Sequence, residues 1–357
     1  MRSSAVTRRP AAACALALAL TAAAPAETPP STAPASRPAG LAALADFGPP
    51  RQDPRREWTV LAYFAADNDL EEHLLEDLRE MEQGLGEDGS VEAVVLIDRA
   101  RDYDASDSDW TDARVYRVRR NAEPKKGLAS ELLAAPGELN TGDPKVLEAF
   151  LAAAMRAFPA RRCALVLSNH GGGWPVNCVD EDTGQEGLAG DALTIGETRE
   201  AIRAALAAAG RKKLDLLVFD ECLMGQLDVL LAVSDLTEFA IGAEDIVAAM
   251  GFPYHDVLPL FARKGPTREL VAETVKVFTN SFGLAALFMN DYTMFGYDLS
   301  RLEAFTRAFD AVLKHIEADL PARWPAVSRA MFFAESYASR SDYRMGRDAL
   351  ASIDLMD

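Results

Sequence analysis

One histidine and one cysteine in this chain stand in settings suited to proton transfer and nucleophilic attack. His170 opens His170-Gly171-Gly172-Gly173-Trp174, directly after the apolar run Cys163–Asn169. Cys222 follows a second apolar run, Leu214–Asp220, with Glu221 between. A histidine beside a thiol is the minimum for covalent catalysis by cysteine: the imidazole moves the proton and the thiolate attacks. The glycines after His170 let another backbone approach closely. Asp220 lies two residues before Cys222, on the same face of an extended strand. His73, His255 and His315 have no comparable setting and read as structural.

The elements around these residues must bring them together. A helical pattern from about Thr194 to Ala209 separates the two apolar runs, making a strand–helix–strand unit. Such units give parallel neighbouring strands with a right-handed crossover. Both strands then end at one edge of the sheet, so His170 and Cys222 meet there although 52 residues separate them. Ligands of open α/β sheets bind at that edge. Further strands are predicted at Trp58–Ala65, Val91–Asp98 and Glu238–Ala243, with an ambiguous one at Leu284–Met289. Helices are predicted with Leu70, Leu74, Leu75, Leu78 and Met81 on one face, and over Asp143–Phe158, Leu270–Asn280 and Leu299–Leu320. A short helix starting near Leu223 would offer its positive end to the thiol. Alternating strands and helices predict a three-layer α/β domain, a mostly parallel sheet with helices on both faces. The alternation in Ala113–Arg119 adds a small accessory hairpin beside it.

The two motifs together resemble the clostripain family of cysteine peptidases, part of the wider group that includes caspases, legumains and gingipains. Tyr63–Leu70, Gly242–Asp245 and Gly251–Tyr254 fit the same family, and the resemblance runs from about Trp58 to the end of the chain. It implies a caspase-like fold and a cysteine-type endopeptidase. Cys222 would be the nucleophile and His170 the general acid–base. The N–H groups of Gly171 and Cys222 would form the oxyanion hole. Asp220 would sit in the pocket for the residue before the scissile bond and favour Arg or Lys, with Asn68, Asp69, Glu244 and Phe252 also binding substrate. For Asp220, Asn68 and Asp69 a helix-capping role stays open. Glu221 stands where the wider group has a small residue and would crowd or recharge the pocket, and Phe252, where the family often has tryptophan, would alter one pocket wall. The chemistry needs no cofactor, but the resemblance admits calcium. Asp180-Glu181-Asp182 is an acidic loop without EF-hand spacing, and no residue set is assigned to a metal.

The chain has 357 residues and a net charge of −18. Such acidity argues against nucleic acid or an anionic membrane as partner and favours basic peptides or proteins. Residues 1–26 read as an export signal: Arg2, Arg8 and Arg9 precede the apolar run Ala11–Ala24, and Ala24-Pro25-Ala26 offers a cleavage site. The run is too short to favour a membrane span. Its removal takes away three arginines and no acid, so −18 becomes −21. A periplasmic or secreted monomer is expected. Residues 27–56 read as a Pro/Ala-rich linker and 57–357 as the peptidase domain. Ser352–Asp357 look like the start of a helix, which suggests truncation at the C-terminus. Cys163, Cys178 and Cys222 remain after signal removal, so at least one thiol is free. A Cys163–Cys178 bridge would span opposite ends of the sheet. No Lys or Arg occurs between Arg162 and Arg199. An enzyme specific for basic residues would therefore stay single-chain, trimmed near Arg51, Arg55 and Arg56. Two other readings compete: an inactive or truncated domain acting as an envelope-associated binding module, and another acyl-transfer enzyme. The second lacks the expected nucleophile elbow with flanking glycines.

Overall fold

The computed structural model describes residues 39–123, 127–183, 190–282, 292–333, 336–337 and 352–353. The chain divides into two units, one of residues 37–320 and one of residues 1–36 with 321–357. In the first unit, β1 (Trp58–Ala66) and β2 (Val91–Arg99) are buried along their whole lengths. Central parallel strands are covered on both faces and so need continuous apolar sequence. Alternate residues of β1 feed different cores. Leu61, Tyr63 and Ala65 pack on one side; Val60, Ala62 and Phe64 pack on the other.

These strands belong to one eight-stranded sheet with β3 (Ala113–Arg117), β4 (Glu131–Gly137), β5 (Arg162–Ser168), β8 (Leu214–Asp220), β9 (Thr237–Gly242) and β10 (Phe295–Asp298). Its order is β10-β9-β8-β5-β1-β2-β3-β4. Strands β2, β1, β5, β8 and β9 run parallel; β3, β4 and β10 pair antiparallel. The predicted accessory hairpin is thus the outer edge of the main sheet, because β3 bonds directly to β2. A separate two-stranded ribbon, β6 (Asn177–Asp180) with β7 (Asp191–Leu193), follows the His170 loop.

On one face lie α3 (Pro144–Ala157), α4 (Ile195–Ala208) and α5 (Leu227–Val233). The other carries α2 (Glu71–Gly84), α6 (Tyr254–Phe261) and α7 (Thr267–Ser281). The three layers match the expectation. Local chemistry starts these helices where the sequence says. Asp143 caps α3 with Pro144 at its first position, and Thr194 with Glu197 forms a capping box on α4. The winding reverses at β1: β2 pairs on one side, β5 on the other. That reversal opens a crevice at the carboxyl ends of β1 and β5.

The predicted linker needs correction over its second half. Residues Ala39–Ala43 form the short helix α1, and Leu41, Leu44 and Phe47 are buried in the core. Arg56 is buried and bonds Glu92 at 2.7 Å, and Arg51 bonds Glu131 at 3.0 Å. Composition there reads as extended chain, but a few spaced apolar residues suffice to dock it. Helix α8 (Leu302–Glu317) ends this unit's helices. In the other unit, α9 (Leu320–Phe333) supplies its described helical part, and β11 (Ser336–Tyr337) pairs with β12 (Ser352–Ile353). Ser352 and Ile353 therefore form a strand, not the predicted helix start. The predicted strand at Leu284–Met289 and the signal segment 1–26 lie outside the described residues.

Candidate active site

Phe219 and Asp220 of β8 lie level with Leu167 and Ser168 of β5. Two residues further on stand Cys222 and His170. They leave the sheet from one edge on neighbouring strands, which are spaced about 4.8 Å apart. Gly171 packs directly on the cysteine's turn. A Cβ there would strike the Cys222 carbonyl oxygen and come within 2.8 Å of Glu221 Cβ. Only glycine lets these backbones approach so closely.

The Cys222 thiol is held by Val247, whose N–H donates to Sγ at 3.2 Å. Burial pushes the thiol up to about 11; the Val247 N–H opposes this, while the Glu221, Asp220 and Asp245 carboxylates add to it. No helix starts at Leu223. Residues 221–226 form turns, Leu223 sits at φ +63°, and α5 begins only at Leu227. The loop leaving β9 takes the N–H groups that a helix would have used: Leu223 donates to Asp245 O at 3.0 Å and Gly225 to Ala243 O at 2.6 Å. One directed N–H from Val247 stands where a helix dipole was expected.

His170 pairs with Asp69, its Nε2 lying 2.7 Å from Asp69 Oδ1. That bond holds the Asp69 carboxyl below its ordinary value, against the opposing push of partial burial. Asp69 thus faces the histidine rather than the expected substrate pocket. Asn68 is fully buried and committed to the turn. It donates to Ala65 O (3.1 Å) and Val179 O (2.8 Å) and accepts from Leu70 N (3.1 Å). Both N–H groups of its amide are used inside the fold, so Asn68 stands as a turn residue and not as the expected substrate contact.

Asp220 is buried on the α2 and α6 side of the sheet. Its Oδ2 accepts from Phe252 N at 3.1 Å and from Tyr254 OH at 2.8 Å, whereas Oδ1 has no partner. Burial pushes the carboxyl up to about 6, and these two donors together with Ser168 pull against that. Gly251 covers it at φ +56°, where a Cβ would lie 2.6 Å from Oδ2. Phe252 gives the pocket its N–H, but its ring is buried, with its centroid 4.9 Å from that of Phe278. It supports the floor instead of forming a wall. Glu244, at the exit of β9, accepts from Tyr297 OH at 3.1 Å. Glu221 points the opposite way from Asp220, as strand alternation requires. Its Oε1 accepts from Cys178 N at 3.1 Å, and burial pushes it up to about 8. Glu221 therefore neither crowds nor charges the pocket.

Three contributors were not assigned a role by sequence reasoning. Asn169 carries the histidine, donating to Ala65 O and accepting from Val179 N. Tyr254 holds Asp220, and Val247 holds the thiol. Tyr254 closes the Gly251–Tyr254 motif, but Val247 carries no local signal. Cys163 and Cys178 are buried free thiols. The acidic loop does not converge as metal ligands do. Asp180 accepts from Thr141 N and Oγ1, Glu181 accepts from Tyr103 OH, and Asp182 lies 3.9 Å from Arg101. Among the described residues no group of three or more His, Cys, Asp or Glu side chains could hold a metal ion. Buried carboxylate oxygens of Asp98, Glu138 and Asp180 have no hydrogen-bond partner, and no chemical step is routed through a metal.

The chain has counterparts among known proteins. The clostripain family profile matches residues 62–354. Clostripain of Hathewaya histolytica is 25% identical over 294 residues, covering 71% of this chain and 55% of its own. The chain thus spans about half the length of that curated relative. A secreted C11 cysteine protease from Bacteroides thetaiotaomicron, solved with an irreversible peptide inhibitor, matches with a TM-score of 0.58 at 22% identity, covering 72% of this chain and 71% of that one. An inactive zymogen C11 protease from Parabacteroides distasonis matches with a TM-score of 0.51 at 20% identity, covering 70% and 64%. At these identities the two structures bear on the fold alone. The profile match extends over most of the sequence and contains both strand-end motifs, and on that ground the chain belongs to the clostripain family.

Proposed function

We propose that this chain is an exported cysteine endopeptidase that cleaves peptide bonds after Arg or Lys. The observation that carries the reading is the level pairing of Ser168 with Asp220, two residues before His170 and Cys222 on neighbouring parallel strands. In this mechanism Sγ of Cys222 attacks the scissile carbonyl carbon. Because the thiol is protonated at rest, His170 removes its proton as the carbon–sulfur bond forms. The carbonyl oxygen becomes an oxyanion facing the N–H groups of Gly171 and Cys222; one such donor typically contributes about 3 kcal/mol. Collapse breaks the carbon–nitrogen bond and His170 gives its proton to the leaving amine. Water, deprotonated by His170, then hydrolyses the thioester and restores the thiol.

The unpartnered Oδ1 of buried Asp220 supports basic specificity, since a guanidinium or ammonium would satisfy it. Export is supported by the basic-then-apolar start of the chain and by the secreted B. thetaiotaomicron relative. No described helix is long and apolar enough to cross a membrane. A panel of fluorogenic peptides differing only before the scissile bond tests the reading, run with calcium and with a chelator. Cleavage of Arg and Lys peptides that disappears in Cys222→Ala is expected. Cleavage that persists in Cys222→Ala sinks the nucleophile assignment. An inert binding module is the second reading, favoured by the burial that pushes the Cys222 thiol up to about 11. Covalent capture of Cys222 by a peptidyl acyloxymethyl ketone with Lys before the warhead would exclude it.

A further inference from the structure

The turn after β1 bears on how the histidine is held. Asp69 and His170 come from chain segments 101 residues apart, yet they are mounted on a shared support. Asn68, just before Asp69, donates to Ala65 O and Val179 O. Asn169, just before His170, donates to the same Ala65 O and accepts from Val179 N. Two asparagines thus grip the same two residues, and each carries one member of the Asp69–His170 pair as its next residue. Glu181 N donates to Asp67 O at 2.9 Å and fixes the turn from its other side. Such a mount holds the separation of carboxylate and imidazole even though Asp69 is exposed, with 56% of its side chain accessible against 29% for His170.

We infer that Asp69 is a positioning residue for His170: its carboxylate accepts the Nε2 proton and leaves Nδ1 as the nitrogen that exchanges a proton with Cys222. The inference rests on the dyad proposed above and extends it. A neutral imidazole has one N–H and one acceptor nitrogen, and the partner of one decides the role of the other. Asp69 Oδ1 can only accept, so it selects the tautomer protonated at Nε2. The same carboxylate stabilises the imidazolium that forms when the thiol proton is taken up. Asp69 is not part of the specificity pocket, because Asp220 occupies the α2 and α6 side with Phe252 and Tyr254 as its donors.

Two measurements on the full chain test this. Asp69→Asn and Asp69→Ala should lower kcat by about 10- to 100-fold, with KM changed less than about 2-fold. The loss should be the same for peptides with Arg and with an uncharged residue before the scissile bond. Independently of turnover, 15N NMR of neutral His170 in Cys222→Ala should show the Nε2–H tautomer, lost when Asp69→Ala is added. A loss confined to Arg peptides and expressed in KM would make Asp69 a pocket residue and overturn the inference. An unchanged kcat would reduce the bond to a surface contact, and a fall in kcat without a change of tautomer would exclude orientation as the cause. The tautomer is read without catalysis, so failure of the dyad reading, seen as full activity in Cys222→Ala, is distinguishable from failure of this one.

Discussion

At the scale of single residues, the thiol's environment sets how the proposed reaction must start. Burial pushes Cys222 up to about 11, so almost none of it is thiolate at neutral pH before substrate arrives. Alkylation of Cys222 by iodoacetamide should therefore be slow at pH 7 and accelerate about tenfold per pH unit up to at least pH 9. A rate already saturated at pH 7 would point to a preformed thiolate. Asp220 makes a second residue-scale prediction. Its carboxyl is raised to about 6, so it loses its charge as pH falls through that value. KM for Arg peptides should rise below pH 6 while KM for uncharged peptides stays level. Asp220→Asn should lower kcat/KM for Arg peptides by roughly 30-fold or more, since an unpaired buried charge costs about 2–5 kcal/mol. An equal loss on both peptide classes would show that Asp220 acts through its hydrogen bonds to Phe252 and Tyr254 alone.

At the scale of elements, the site depends on two loops pressed together at the ends of β5 and β8. Gly171 is the contact point, and a methyl group there meets a backbone carbonyl that cannot rotate away. Gly171→Ala should move the His170 loop off Cys222. A displacement near 1 Å costs on the order of 100-fold in rate, so kcat should fall at least tenfold. Unaltered turnover in this variant would mean that the two loops separate in the active state. Helix α4 offers a contrast because its start is fixed locally. Thr194 Oγ1 accepts from Glu197 N at 3.2 Å while the Glu197 carboxylate accepts from Thr194 N at 2.9 Å. Thr194→Ala should cost about 1 kcal/mol of stability, read as a lower urea midpoint, with kcat unchanged.

At the scale of the whole molecule, the docked segment before β1 changes the expected processing. Arg51 and Arg56 are tied to Glu131 and Glu92, and Leu41, Leu44 and Phe47 are buried beneath the sheet. Backbone held this way cannot extend into a protease cleft, so trimming near residues 51–56 is not expected of the folded chain. A chain starting at residue 57 should be destabilised by at least about 3 kcal/mol relative to one starting at Arg37, because full burial of each such side chain is worth roughly 1.5–3 kcal/mol. Urea unfolding of the two chains compares them directly. The absence of Lys and Arg between Arg162 and Arg199 still predicts a single chain after activation, visible as one band on a denaturing gel.

What the sequence determined by itself was whatever local pattern controls. The strand Leu214–Asp220, the capped start of α4 and the parallel placement of His170 and Cys222 follow from apolar runs, caps and crossover handedness. Tertiary structure decided the rest, because there the partner lies far along the chain. Asp69 as a pocket carboxylate and Asp69 as a histidine partner are written identically in Asp67-Asn68-Asp69. The choice was made by Ala65 and Val179, which no spacing rule connects to both asparagines. Glu221 turned away from the pocket because β8 stays extended to Asp220 and the next side chain must face the other layer. The segment before Trp58 reads as a linker by composition, and only the groove under β4 and α3 shows where Leu41, Leu44 and Phe47 are buried. Local sequence fixes which way a strand runs and where a helix begins. Which distant side chain meets it depends on packing the whole layer.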